Sequence, residues 1–251
     1  MTPRALTLLT GASRGMGLAM ARQLVAAGHD LLCISRRSDA ALAEQARAAG
    51  VLCEQWTEDL AAPEAVASRL QAWLAARPEP ASATLINNAG VIPAIAPIGE
   101  VPAAELARAL RVGLEAPMLL TGAFLRATEG WRGPRKVLNI SSGLGRRAMA
   151  SQAGYCAAKA GMDHFTRCVA LEEALKPHGA RVCSLAPGVI DTDMQVQLRG
   201  ADPARFPDQA GFAGLKDNGM LTSPGDAAAR VLAWLARPDF GANPVADVRE
   251  A

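Results

Sequence analysis

Thr10-Gly11-Ala12-Ser13-Arg14-Gly15-Met16-Gly17 follows directly on the apolar run Leu6-Thr7-Leu8-Leu9 and precedes a helical pattern over residues 18–27. A strand that must turn sharply into a helix wants glycine at the turn. An anion can also reach the backbone N–H groups at the helix's positive end only where side chains leave room. The spacing Gly-x-x-x-Gly-x-Gly is a variant of the dinucleotide fingerprint, and its setting between strand and helix reads as a phosphate cradle.

Beyond this turn, apolar runs of strand length recur at residues 5–9, 31–35, 51–56, 84–86, 136–140 and 181–186, with alanine-rich helical stretches between them. Runs that are polar on neither face belong to strands buried on both sides, which implies a parallel sheet with helices above and below. The expected architecture is therefore α/β: a single-domain, Rossmann-type, doubly wound sheet spanning residues 1–251. Its ligand crevice lies outside the carboxyl ends of the strands, so residues just after each strand matter most.

Half of the 251 residues are hydrophobic, enough to cover such a sheet on both faces. The balance of 26 basic against 24 acidic residues, a net charge of +2, offers no excess for a polyanion, so nucleic acid is not an expected partner. The N-terminal apolar stretch is too short for a signal segment or a spanning helix, giving the expectation of a soluble, cytoplasmic protein. Cys33, Cys53, Cys156, Cys168 and Cys183 are scattered without a Cys-x-x-Cys pair and read as buried reduced thiols. His29, His164 and His178 lie far apart with no second ligand nearby, so no metal site is expected.

Residues 190–222 break the strand–helix rhythm with Gly, Pro, Asp and Gln, and carry Met194, Leu198, Phe206, Phe212, Leu215 and Met220. They read either as a substrate lid or as the core of an insert. Ser223-Pro224-Gly225-Asp226 then marks a helix start, with Ser223 as N-cap and Pro224 at the first helical position, and that helix runs to about Ala236.

Chemistry is concentrated after the fifth strand, in Asn139-Ile140-Ser141-Ser142-Gly143 and in Tyr155-Cys156-Ala157-Ala158-Lys159. On a helix, the four-residue spacing of Tyr155 and Lys159 puts an ammonium on the same face as a phenol. A neighbouring cation favours the phenolate and is expected to bring the tyrosine pKa down toward neutrality. The Ser142 hydroxyl would then hold a carbonyl oxygen while Tyr155 delivers the proton.

Taken together, these motifs resemble the short-chain dehydrogenase/reductase family over nearly the whole chain. Thr10 to Gly17 is similar to the family's glycine turn and Asn87-Asn88-Ala89-Gly90 to its motif after the fourth strand. Ser142, Tyr155 and Lys159 match its catalytic set, and Pro187-Gly188 with Thr192 its loop after the sixth strand. The resemblance implies Tyr155 as general acid, Ser142 as the group that positions the carbonyl, and Lys159 as the group that lowers the tyrosine pKa and binds the nicotinamide ribose. Asn87 and Asp59 would contact the adenosine half and Thr192 the carboxamide. The implied cofactor set is Gly11, Ser13, Arg14, Gly15, Met16, Gly17, Arg36, Arg37, Asp59, Leu60, Asn87, Ala89, Gly90, Tyr155, Lys159, Pro187, Gly188, Val189 and Thr192. One position departs from the family pattern: its usual Asn aligns with Gly113 in Arg111-Val112-Gly113-Leu114-Glu115-Ala116-Pro117. Glycine keeps the backbone carbonyl and loses the side chain, so a weakened proton relay is expected, with a catalytically weak or inactive NADPH-binding sensor or scaffold as the alternative.

The second strand ends in Arg36-Arg37 with no carboxylate to take a ribose 2′-hydroxyl. A guanidinium there suits a 2′-phosphate bidentately, with Arg14 approaching from the glycine turn, so NADPH/NADP+ is the expected cofactor. The segment from Pro187 to Gln195 is similar to the sepiapterin reductase and benzil reductase branch, as are Leu221-Thr222-Ser223-Pro224 and the tail from Pro244 to Val248. That resemblance implies a small-molecule ketone or vicinal dicarbonyl as substrate, apolar or aromatic, with 3-oxoacyl thioester, pterin-like and hydroxysteroid substrates as alternatives. Met194, Leu198, Phe206, Phe212 and Met220 would either line its pocket or be plain core. The helices over 103–127 and 155–176 are apolar all round. The family pairs such helices, so a homodimer or homotetramer is expected.

Overall fold

The computed structural model describes residues 3–250, which build a seven-stranded, all-parallel sheet. The strands are β1 (Ala5–Thr10), β2 (Asp30–Ser35), β3 (Cys53–Thr57), β4 (Ser82–Asn87), β5 (Arg135–Ile140), β6 (Arg181–Ala186) and β7 (Val245–Asp247). Their order is β3-β2-β1-β4-β5-β6-β7, so the chain reverses direction across the sheet between β1 and β4. A crevice opens at the carboxyl ends of the strands at such a reversal.

Alternate residues of each strand enter different layers. Leu9 of β1 packs with α1 (Gly15–Ala26), α2 (Ala40–Ala49) and α9 (Pro224–Ala236), whereas Leu6 and Leu8 pack with α3 (Pro63–Ala75) and α5 (Ala116–Ala127). Both faces are thus buried, the reason these strands read as continuous apolar runs. Local signals fix the helix ends: the Asp39 side chain accepts from the Leu42 amide at 2.7 Å, and Ser223 caps α9 on the Asp226 amide at 3.1 Å.

Three elements differ from the sequence reading. Strand β3 begins at Cys53, after Val51, because the Val51 amide closes α2 on the Ala46 carbonyl at 3.0 Å. Strand β7, three residues bounded by a proline, was too short to register as an apolar run and extends the sheet beside β6. The helix expected over 103–127 divides into α4 (Ala103–Leu110), a π-helical turn at Arg111–Glu115, and α5. Pro117 has no N–H for the carbonyl four residues back, that of Gly113, and the Ala116 amide reaches Arg111, five residues back.

Residues 190–222 are an ordered excursion carrying α7 (Asp193–Arg199) and α8 (Gln209–Asp217). Its two ends pair at a bridge between Ile190 and Thr222, with Asp191 N–H to the Thr222 carbonyl and Thr222 N–H to the Val189 carbonyl, both at 2.9 Å. Within it Phe206 is fully buried and stacks on Phe212, ring centres 5.6 Å apart.

All five cysteines are free. Cys33 and Cys183 are buried as expected, but Cys168 is exposed because it falls on the solvent side of α6 (Ala153–Ala174). Among the described residues no helix is long and apolar enough to cross a membrane.

Candidate active site

The turn after β1 forms a cradle that only glycine permits. Gly11 and Gly15 have φ of 70° and 54°, and a Cβ on Gly17 would lie 2.1 Å from the Gly11 carbonyl oxygen. Helix α1 starts here without a side-chain cap at Arg14, so its first N–H groups face the crevice. Geometry of this kind fits a pyrophosphate. The loop after β4 braces the turn: Asn88 Nδ2 donates to the Thr10 and Gly11 carbonyls at 3.0 and 3.2 Å. In return the Thr10 hydroxyl accepts from the Asn88 and Ala89 amides at 2.9 and 3.0 Å.

The crevice encloses about 780 Å³. It brings together Gly11, Ser13, Arg14, Gly15, Met16, Gly17, Arg36, Asp59, Leu60, Ala89, Gly90, Ser142, Tyr155, Lys159, Pro187, Gly188, Val189 and Thr192. Two residues of the implied set are elsewhere. Asn87, 2 % exposed, turns its side chain inside the fold, where Nδ2 donates to Asn139 at 2.8 Å and Thr121 at 3.2 Å. It is the last residue of β4 and pairs with Asn139 across the sheet, so the pleat directs it inward and leaves Asn88 at the wall. Arg37 is exposed, and alternation past the end of β2 leaves only Arg36 of the pair on the crevice.

Charges around the mouth are partly spent on each other. Arg14 pairs with Asp193 at the start of α7, and Arg108 with Asp59 at 3.0 Å. The Ala61 amide, helped by the Arg108 and Arg36 guanidinium groups, holds the Asp59 carboxyl below its ordinary pKa. Arg36 makes no ion pair among the described residues and is exposed on the crevice.

At the other end, Ser142 follows β5, while Tyr155 and Lys159 sit in the first turns of α6. Tyr155 is 9 % and Lys159 4 % exposed, and the Lys159 ammonium stands 5.7 Å from the tyrosine ring centre, donating to the Ile140 carbonyl at 2.7 Å. The expected lowering of the tyrosine pKa is not what this arrangement produces. Burial pushes the Tyr155 phenol up to about 12 against a hydrogen bond with Ser142 that pulls it down. Burial likewise brings Lys159 down to about 8, opposed by Asp163. Desolvation is the largest cause at both groups, and that cannot be read from their spacing.

Of the apolar residues assigned to the pocket, Met194, Leu198 and Phe212 line it. Phe206 lies behind Phe212, and Met220 is 63 % exposed. Sequence reasoning passed over Gln152 and Gln195, two buried carboxamides in the crevice wall. Gln195 closes the Pro187–Gln195 motif without a role assigned to it and Gln152 falls in no motif; burial in three dimensions is what sets the two apart.

Comparison with known proteins agrees with this geometry. The family model described as short chain dehydrogenase matches residues 5–202. A benzil reductase ((S)-benzoin forming) of Bacillus cereus is 33% identical over 245 residues, covering 97% of this chain and 98% of that one. Sepiapterin reductase of Mus musculus is 30% identical over 249 residues, covering 94% and 93%. A 3-oxoacyl-[acyl-carrier protein] reductase from Brucella melitensis, solved in complex with NAD, superposes with a TM-score of 0.82 at 26% identity, over 99% of this chain and 96% of that one. A glycine cradle at the β1–α1 turn, a Ser–Tyr–Lys group across the same crevice and matches of this length have one common explanation: the chain belongs to the short chain dehydrogenase family of oxidoreductases.

Proposed function

We propose that this protein is an NADPH-dependent carbonyl reductase acting on a ketone or vicinal dicarbonyl, with Tyr155 as proton donor. The observation that carries the reading is that Tyr155, Ser142 and Lys159 share one crevice with the glycine cradle. The cofactor would supply a hydride from its nicotinamide. For their part, the protein groups hold the carbonyl oxygen through Ser142 and protonate it from the Tyr155 phenol, whose pKa burial pushes up and whose hydrogen bond with Ser142 pulls down. Arg36, with no ion pair among the described residues and no carboxylate at the end of β2, supports a 2′-phosphate on the cofactor and hence NADPH over NADH. The names of the benzil and sepiapterin reductases and the apolar wall of Met194, Leu198 and Phe212 support a carbonyl substrate with an apolar or aromatic group.

Self-association belongs to the same reading. Leu171 on α6, Leu175 at its C-cap and Met118 on α5 are 73%, 87% and 42% exposed, large apolar side chains that a second copy would cover. Sedimentation at micromolar concentration should show a dimer or tetramer, and a monomer would count against it.

The direct test is oxidation of NADPH and of NADH with a panel of ketones, diketones and quinones, repeated with Tyr155→Phe. NADPH-preferring turnover, lost in Tyr155→Phe while NADPH still binds, is the expected outcome. Undiminished turnover by that variant would refute the assignment of Tyr155.

A further inference from the structure

Tyr155, Lys159 and Asp163 follow one another at four-residue intervals along α6, so their side chains share one face of the helix, and all three are buried. Two of them grip consecutive residues at the end of β5. Lys159 donates to the Ile140 carbonyl at 2.7 Å, and Asp163 Oδ1 accepts from the Ser141 hydroxyl at 2.6 Å. Past Ser142 the same carboxylate engages the chain again. Its Oδ2 accepts from Arg146 Nε at 3.2 Å. A Cβ on Gly145 would lie 2.9 Å from that oxygen and 3.0 Å from the Lys159 carbonyl oxygen, so glycine is what lets this turn lie so close to the helix. Ser142 is therefore held from both sides by the helix that carries Tyr155.

The charge of Asp163 also acts on Lys159. Burial brings the ammonium down to about 8, and among the described residues Asp163 is the charged group that opposes it. On α6 itself Lys159 has Tyr155 one turn before it and Asp163 one turn after it. The loop after β4 brings Gly90 to the ammonium, and the π-turn brings Gly113 against Ala158, neither of which carries charge. Facing Asp163 are Arg146 from the turn after β5 and Cys183 from β6. Beyond Arg146 stands Asp247 of β7, itself paired with Arg249. Hydrogen bonds from Ser141, Ser184 and Arg146 pin the carboxylate in place, as no freely rotating surface acid is pinned.

We propose that Asp163 is a positioning residue of the reduction: its buried carboxylate is the fixed countercharge of the Lys159 ammonium and the anchor that sets Ser142 against Tyr155. This rests on the carbonyl reductase reading above. Asp163 lies behind the crevice wall and not on it, so it acts through Lys159 and Ser142 and exchanges no proton with the substrate. Its work is to keep the ammonium charged into the alkaline range and to hold the reacting groups in register beforehand.

The first test is the pH profile of kcat/KM for reduction of 1-phenyl-1,2-propanedione by NADPH. In Asp163→Asn the alkaline midpoint should fall below the wild-type value by about one pH unit, with kcat about tenfold lower and KM for NADPH unchanged. Ser184→Ala removes a hydrogen bond from the same carboxylate oxygen and keeps the charge, so its midpoint should stay at the wild-type value. Ser141→Ala frees the residue before Ser142 and should lower kcat at an unchanged midpoint. Arg146→Gln removes the cation that competes with Lys159 for the carboxylate and should move the midpoint to higher pH. That opposite sign decides the matter alone where Asp163→Asn does not fold, since damage to packing would move the variants the same way.

The second test needs no turnover. The chain has four lysines, Lys136, Lys159, Lys176 and Lys216, so carbon-13 labelling of their ε-carbons gives four NMR signals, and Lys159→Met identifies the one of interest. That signal should titrate at lower pH in Asp163→Asn and at higher pH in Arg146→Gln. An unmoved Lys159 titration in folded Asp163→Asn, or one that fails to rise in Arg146→Gln, would overturn the inference. So would a midpoint displaced as far in Ser184→Ala as in Asp163→Asn, or an undiminished kcat in Ser141→Ala. Any of these alongside reduction of the dicarbonyl removes this inference and leaves the reductase reading standing. The expected NMR displacements with no NADPH oxidation would do the reverse.

Discussion

The Lys159 ammonium donates to the Ile140 carbonyl at 2.7 Å and stands 5.7 Å from the centre of the Tyr155 ring. With the phenol held near 12 and the ammonium near 8, the group that changes charge in the working pH range is the lysine. If carbonyl reduction uses the charged ammonium, kcat/KM should be level below about pH 7 and fall as pH rises through about 8. A midpoint at the ordinary lysine value of 10.5 would contradict this. Stability carries the opposite sign. Because the folded pKa lies below the unfolded one, the cost of burying the charge is fully present below about 8 and fades as pH approaches 10.5. Lys159→Met should therefore raise Tm at pH 7 by several degrees, corresponding to about 3 kcal/mol, and lose that advantage by pH 10.5.

Arg36 offers the crevice an exposed guanidinium that makes no close ion pair among the described residues. A hydrogen-bonded contact to a charged group contributes about 1.5–3 kcal/mol. Arg36→Ala should accordingly raise KM for NADPH by roughly tenfold to a hundredfold while KM for NADH changes little. Steady-state kinetics with both cofactors decides it, and parallel losses for the two would remove the 2′-phosphate assignment.

Gly113 lies in the π-turn with a would-be Cβ 3.3 Å from the Ala158 Cβ, and Ala158 is buried next to Lys159. Gly113→Ala gains about 1 kcal/mol of helix propensity but overpacks that contact, which costs about 1–3 kcal/mol. We expect lower Tm and lower kcat together, with Gly113→Ala/Ala158→Gly recovering both. A double-mutant cycle should show coupling of at least about 0.5 kcal/mol, and strict additivity would rule the contact out.

Asp163 is 2 % exposed, and its Oδ1 accepts from the Ser141 and Ser184 hydroxyls, each at 2.6 Å, while Oδ2 accepts from Arg146 Nε at 3.2 Å. Arg146 in turn donates to the Ala246 carbonyl at 2.9 Å, so one carboxylate ties β6 and β7 to the residue before Ser142. Asp163→Ala strands two buried hydroxyls and should lower unfolding free energy by about 3 kcal/mol. Asp163→Asn, which keeps one acceptor, should cost less. Denaturant unfolding measures both, and equal losses would show that volume rather than hydrogen bonding is at stake.

Most of the frame was legible because its signals are local. Apolar runs of strand length, the Gly11–Gly17 spacing and the Ser223-Pro224 cap each depend on residues within one or two turns of chain. The harder features are consequences of distant packing. Whether Asn87 or Asn88 faces the crevice depends on the sheet's pleat, and the π-turn at Gly113 on a missing N–H four residues later. Tyr155 sits near 12 because of the groups that bury it, none of which are marked by the Tyr-x-x-x-Lys spacing. Gln152 looks like an ordinary helix-flanking residue until its burial is seen.

The pairing of Ile190 with Thr222 draws both ends of a 33-residue excursion to one point on the sheet's rim. Closure of so long a loop depends only weakly on how many residues it holds. The excursion is therefore a graftable cassette: its interior can be rewritten, or swapped with that of a relative, while the strands and the Ser–Tyr–Lys apparatus keep their places. Substrate preference can drift in such a protein without renegotiating its reaction chemistry.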